Sequence, residues 1–198
     1  ETTAARNNLA VDYKAAGRFD EALALYQESL RHALRAHGNN PSSLLSSLHH
    51  NLGGVHHAMG NFAAAEGSAR IAWEMSAQLL GDDDPRTQMD SIAYAAILDG
   101  LGRHAAAQAR YQAAEIVLLR VWGPAHAELA ALWHNLAASF AAQGQLDRAL
   151  NHYRRALQVK DRVFGESSPD AALTRIGLAG VLNRQSAFGK AERLLLQA

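Results

Sequence analysis

Histidine is the side chain here best suited to chemistry near neutral pH, and the 198-residue sequence holds ten of them. Metal ligation from one helix needs ligands one turn apart, at i,i+3 or i,i+4. No two of the ten histidines have that spacing; His50 and His57 are seven apart, roughly 10.5 Å along a helix axis and too far to share an ion. Cysteine is absent, which excludes disulfides, thiolate metal sites and a cysteine nucleophile. Neither a phosphate-cradling G-x-x-x-x-G-K-[ST] nor a G-x-S-x-G nucleophile turn occurs, and no Ser/His/Asp trio is marked out by spacing. The expectation is therefore a chain with no catalytic residues, no metal and no cofactor, whose polar side chains serve recognition rather than reaction.

Charge narrows the partner. Lys+Arg and Asp+Glu are both 19, so no cationic excess points to nucleic acid or to an anionic membrane. No run reaches the ~18 apolar residues of a membrane span. Of the 19 cations 16 are Arg, and Ala occurs 41 times, a bias that suggests a GC-rich bacterial coding sequence. The lack of Cys fits a reducing, cytoplasmic setting. Starting at Glu1 without Met, the chain reads as a piece of a longer one.

The elements that must position any binding residues are written as a period. Gly17, Gly60, Gly102 and Gly144 are spaced by 43, 42 and 42 residues, and a further 42 falls on Ser186. Five residues beyond each stand Ala22, Ala65, Ala107, Ala149 and Ala191. Twelve beyond stand Ser29, Ala72, Ala114, Ala156 and Ala198; nine beyond stand Tyr26, Ala69, Tyr111, Tyr153 and Leu195. Apolar residues at helical spacing flank each anchor on both sides, as in "LAALWHNLAASFAAQ" before Gly144 and "LDRALNHYRRALQVKDRVF" after it. Glycine suits a helix end where the backbone turns through positive φ. Each unit thus reads as an antiparallel pair of helices, brought close by small residues two turns apart, with a tyrosine filling the space between them.

Boundaries are legible too. Asn40-Pro41, Asp84-Pro85 and Ser168-Pro169 each put a capping residue before a Pro at the first helical position. In the fourth unit the slot holds His126-Ala127, a weaker start. Gly38, Gly81, Gly123 and Gly165 end the preceding helices. Asp82, Asp83 and Asp84 put favourable charge at a helix N-terminus. Pro41 to Gly60 is two residues longer than its later counterparts, which predicts an early helix start or a bulge.

These offsets, the tyrosines, the opening prolines, "NNLA" at 7–10, "HNLA" at 134–137 and the G-x-x-x-P loops resemble the tetratricopeptide repeat. The 42-residue period resembles its long-helix variant in kinesin light chains and in many bacterial regulatory proteins. The resemblance implies an all-α, right-handed solenoid of about five helix hairpins forming a single array over 1–198. Its repeats fall near 1–40, 41–84, 85–126, 127–168 and 169–198, the last cut short. It departs from the pattern at "SIAYA" in the third unit and "RIGLA" in the fifth, where a groove contact is lost. The ending "RLLLQA" lacks the polar cap that an array needs.

In such arrays the first helix of each pair lines a concave groove that binds a protein or peptide segment. Carried over by offset, the groove positions are Ala4, Asn7, Val11 and Lys14 in the first unit and Ser47, His50, Gly54 and His57 in the second. The third supplies Met89, Ile92, Ala96 and Asp99, and the fourth Ala131, His134, Ala138 and Ala141. The fifth supplies Leu173, Ile176, Gly180 and Asn183. Asn8, Asn51 and Asn135 match the family's peptide-binding Asn, whose amide can pair an extended backbone of any sequence. Lys14, His50, His57 and His134 against Asp99 make the groove slightly cationic, more so below pH ~6.5, which suits an acidic or carboxylate-ended segment.

Other readings stand beside these. The asparagines can stitch helix to helix, and the histidines can be solvated surface. Trp133 and the three tyrosines read as core; Arg154, Arg155 and Arg162 read as solvated. The array can instead pack against another domain of a larger protein, or self-associate through its C-terminal end as a homodimer.

Overall fold

The computed structural model describes residues 3–198, apart from the side chains of Thr3, Ala4 and His37. The groove position assigned to Ala4 therefore lies outside the described side chains. The described residues form ten helices and no strand: α1 (Thr3–Ala15), α2 (Phe19–His37), α3 (Ser43–Ala58), α4 (Phe62–Leu80), α5 (Pro85–Gly100), α6 (His104–Trp122), α7 (Ala127–Ala142), α8 (Leu146–Phe164), α9 (Pro169–Arg184) and α10 (Phe188–Leu195). The chain is all-α, as the sequence predicts. From α3 to α9, helices of 16 and 19 residues alternate.

Two compact units divide the chain, Glu1–Arg110 and Tyr111–Ala198. In the first, α1 packs on α2, α2 on α3, α3 on α4 and α4 on α5, with α1 on α3 and α3 on α5 as well. In the second, α7 to α10 do the same, with α7 also against α9.

The turn inside every hairpin is built alike. At the fourth, the Gly144 amide donates to the Ala141 carbonyl at 3.0 Å and Gln145 reaches back to Phe140 at 2.9 Å. This closes a Schellman motif with its left-handed residue at Gly144 (φ 77°). The same six-to-one bond joins Arg18 to Tyr13, Asn61 to His56, Arg103 to Leu98 and Ala187 to Leu182. At the fifth turn the left-handed residue is Ser186 (φ 60°), the one described non-glycine with positive φ.

Ala22, Ala65, Ala107, Ala149 and Ala191 are all at most 1% exposed, so the repeated alanine has one role in five places. The second hairpin shows why the residue is small. A Cβ added to Gly53 on α3 would stand 3.2 Å from the Ala69 amide and 3.5 Å from the Ala65 carbonyl oxygen on α4. The periodic pattern ends with α10: Leu195, Leu196 and Ala198 are exposed, so the last two register positions bury nothing.

Three boundaries follow the sequence and one does not. Asp84 and Ser168 cap α5 and α9 with Pro at the first turn, and His126 caps α7 by accepting from the Glu128 amide at 3.3 Å. The ring of His126 also stacks on Trp122 with centroids 4.2 Å apart. In the second repeat, however, Ser42 is the cap, its hydroxyl accepting from the Leu45 amide at 3.2 Å. Pro41 and Ser42 thus stay in the loop, which is one residue longer than its later counterparts. Asn40-Pro41 does not open α3, and α3 neither starts early nor carries a bulge.

Two substitutions test this geometry. A left-handed non-glycine costs roughly 1–2 kcal/mol, part of which glycine gives back in unfolded-chain entropy. Ser186→Gly should therefore raise the urea midpoint by roughly 0.5–1 kcal/mol equivalent, with an unchanged denaturant slope. Ala149→Leu should cost ~1–3 kcal/mol by overpacking; an unaltered melting curve would contradict the close helix contact.

Candidate interaction surface

The groove positions run three, four and three residues apart along each odd-numbered helix, so they share one helical face. In the first unit that face is the less buried one. Asn8, Val11, Ser47 and His57 are exposed, and Asn7, Lys14, His50, Asn51, Gly54, Met89, Ala96 and Asp99 are half-buried. Ile92 departs from this: it is 6% exposed and belongs to the core.

Several of these residues are engaged. The Asn51 amide nitrogen donates to the Asn7 side-chain oxygen at 2.9 Å, tying α3 to α1. That is the helix-to-helix role, not a free amide. Asp99 is held by His104 of α6, Nδ1 to Oδ1 at 2.9 Å. His50 Nδ1 lies 2.6 Å from Oδ1 of Asp90, a buried carboxylate on α5. The other Asp90 oxygen accepts from the Ser76 hydroxyl of α4 at 2.5 Å and from Ser46 of α3 at 3.4 Å. Ser46 and Ser76 are themselves 2.7 Å apart. A carboxylate out of water needs such partners, and Asp90, on α5, draws them from α3 and α4.

Beside this network lies a cavity of about 210 Å³. Lys14, His50, Gly54, His57 and Ala96, all on the sequence-predicted face, line it together with Asp90, Ala69, Ala72, Ala93 and Ile97. Lys14 extends along Gly54, where an added Cβ would meet its Nζ at 2.9 Å. No acceptor or carboxylate pairs this ammonium among the described residues. Burial pushes the Lys14 pKa down, and burial followed by the Lys14 charge pushes His57 down. The sequence reading missed Asp90, Ala69 and Ala93. A signal for Ala69 was present: before Leu195 it is the only departure from tyrosine at its register position.

The second unit repeats the face with different chemistry. His134 and Asn135 are half-buried, as are Ala131 and Ala141; Ala138, Leu173, Ile176, Gly180 and Asn183 are exposed. His134 Nδ1 lies 3.1 Å from the Thr174 hydroxyl, and its ring meets Tyr153 edge-on at 5.3 Å. Burial, reinforced by the nearby Lys160, holds the His134 pKa down at about 4. His134 thus stays neutral well below the pH at which the sequence reading charges it, because desolvation disfavours the imidazolium, and His57 is shifted in the same direction. The groove's cationic character rests on Lys14 instead. Trp133 is core, 2% exposed, with its indole N–H donating to Glu115 at 2.7 Å. Arg155, read as solvated, lies 4.0 Å above that indole and 3.0 Å from Glu115.

No group of three or more His, Asp or Glu side chains is placed to hold a metal ion among the described residues. No helix there is long and apolar enough to cross a membrane.

The tetratricopeptide-repeat family pattern matches residues 2–42 and 47–86, and a second pattern of the same family matches 128–198. The chain belongs to the tetratricopeptide-repeat family, a class of protein–protein interaction scaffolds, and within it is kinesin-light-chain-like. It is 25% identical over 186 residues to Protein KINESIN LIGHT CHAIN-RELATED 2 of Arabidopsis thaliana, covering 91% of this chain and 27% of that one. The chain thus spans about a quarter of the length of the curated relative it matches. The crystal structure of BtubC (BKLC) from P. vanneervenii superposes with a TM-score of 0.75 at 25% identity, over 94% of this chain and 74% of that one. A Rap protein complexed with Competence and Sporulation Factor shares the fold at a TM-score of 0.81 and 12% identity, over 96% and 50% of the two chains.

Desolvated histidines set a pH dependence. Below 6.5 the unfolded chain protonates His134, whereas the folded one does so only near 4. Stability from this group is full above 6.5 and is lost as the pH falls towards 4. Burial shifts His49, His57 and His152 in the same direction. His134→Gln should remove about one proton's worth of slope from unfolding free energy against pH in that window, as read from urea melts; an unchanged slope would contradict the buried, neutral imidazole.

Proposed function

We propose that residues 1–198 act as one interaction array, whose odd-numbered helices present a face that docks a protein or peptide segment, acidic or carboxylate-ended. The observation that carries this reading is the convergence of Lys14, His50, Gly54 and His57 on one cavity-bearing surface, with the Lys14 ammonium unpaired among the described residues. A half-buried cation without a partner gains most from an anionic one. Small residues on the same face, Gly54 and Ala96, leave room for a chain to approach. Asn8 and Asn135 supply amides that no described side chain occupies, whereas Asn51 is already committed to Asn7.

The Rap structure, a repeat array of this fold holding a bound factor, supports such a use of the fold. An array of acidic, carboxylate-ended peptides, followed by calorimetry on the best binder, tests the reading. Val11→Glu with Ser47→Glu adds negative charge at two exposed positions of the first unit's face without touching the core. The double variant should bind at least about tenfold more weakly at low salt with an unaltered melting temperature. Equal affinity would remove the face from the binding site.

A further inference from the structure

Nine residues past each turn the chain places a tyrosine three times, Tyr26, Tyr111 and Tyr153, each at most 5% exposed. In the second repeat the same position is Ala69. Tyr153 shows what the missing ring does. It fills the space over Gly177 of the following repeat so closely that a Cβ there would stand 2.7 Å from the ring. Gly177 lies nine residues before its own turn residue, and its counterparts are Asn8, Asn51, Ala93 and Asn135. Between the second and third repeats the tyrosine is cut back to Ala69, and it faces Ala93 where the junctions after Tyr26 and Tyr111 place Asn51 and Asn135. The cavity of about 210 Å³ is lined by both. It is the vacant seat of an aromatic side chain.

The lining of the seat is of two kinds. Ala69, Ala93 and Ile97 give it alkyl walls, and an apolar cavity of roughly 150 Å³ is known to hold a benzene molecule. The Lys14 ammonium, without a described partner, and the His50 ring, whose Nδ1 is fixed on Asp90, line the same cavity. A ring satisfies the alkyl walls and an anionic oxygen the ammonium.

We propose that this cavity is a binding site for a free small aromatic carboxylate, the ring seated where repeats one, three and four carry a phenol and the carboxylate held by Lys14. The site shares Lys14 and His50 with the peptide-docking face but needs no peptide, so it stands or falls separately.

Benzoate and its neutral counterpart benzyl alcohol are the probes, titrated against the whole chain by calorimetry and by thermal shift. Benzoate should bind saturably below about 10 mM, as expected of so small a ligand, and raise the melting temperature. Ala69→Tyr, which restores the repeat's own side chain, should weaken benzoate at least about tenfold. Lys14→Met leaves the seat intact and covers the event that Ala69→Tyr misfolds. It should weaken benzoate at least about fivefold while leaving benzyl alcohol within about twofold. No saturable benzoate binding to the unaltered chain overturns the proposal, as does undiminished binding to Lys14→Met or to a folded Ala69→Tyr. Binding of the tripeptide Gly-Gly-Phe without binding of benzoate also overturns it, because the seat would then serve a peptide terminus.

Discussion

Everything in this chain depends on how closely two helix backbones approach. Where Gly53 meets Ala65 and Ala69, one more carbon would already press on backbone atoms. A side chain that ends at Cβ permits the approach, and interior packing is too dense to absorb a larger one without displacement. The five alanines that follow the turns are one solution used five times. A helix pair this close buries its alanines completely yet gains little from each. Stability must then come from summing pairs along the array, each neighbour covering the face left open by the last.

Polar chemistry enters where the pattern is interrupted. The third repeat has Asp90 and Ala93 at positions where the other repeats place different residues, and around them stand the Asp90 network and the cavity. The second unit uses the equivalent space conventionally, with Tyr153 over Gly177 and His134 against both Tyr153 and Thr174. The same face is thus open and cationic in one unit and filled and neutral in the other. That difference arises from single residues at fixed register, with no change in backbone design.

The fold was legible because its signals were local and repeated. Turn glycines, opening prolines and alanines at constant offset each follow from backbone geometry that neighbouring sequence dictates. The second repeat misled because capping is a competition. Asn40 and Ser42 are both good caps, and the choice depends on which side chain reaches an unpaired amide two or three residues on. The site was legible only as a set of positions. Helical offsets put Lys14, His50, Gly54 and His57 on one face, and the structure brings them to one cavity. Offsets alone could not show that Ile92 rolls inward, that Asn51 is occupied by Asn7, or that burial keeps His134 neutral. Those facts depend on partners far away in sequence, such as Asp90 forty residues from His50. Arg155 misled likewise: a charged residue on an outer helix reads as solvated until an indole and a carboxylate are seen beneath it.

One consequence of the Asp90 network concerns mechanics. A single carboxylate receives hydroxyl and imidazole groups from α3 and α4 while itself riding on α5. Helices that meet through small residues carry fewer interlocking side chains to fix their axial position than helices that meet through large ones. Polar contacts with distance limits do not forgive an axial displacement. Asp90 therefore works as a latch against sliding between the second and third repeats, fixing three rods at one height where shape alone would hold them less firmly.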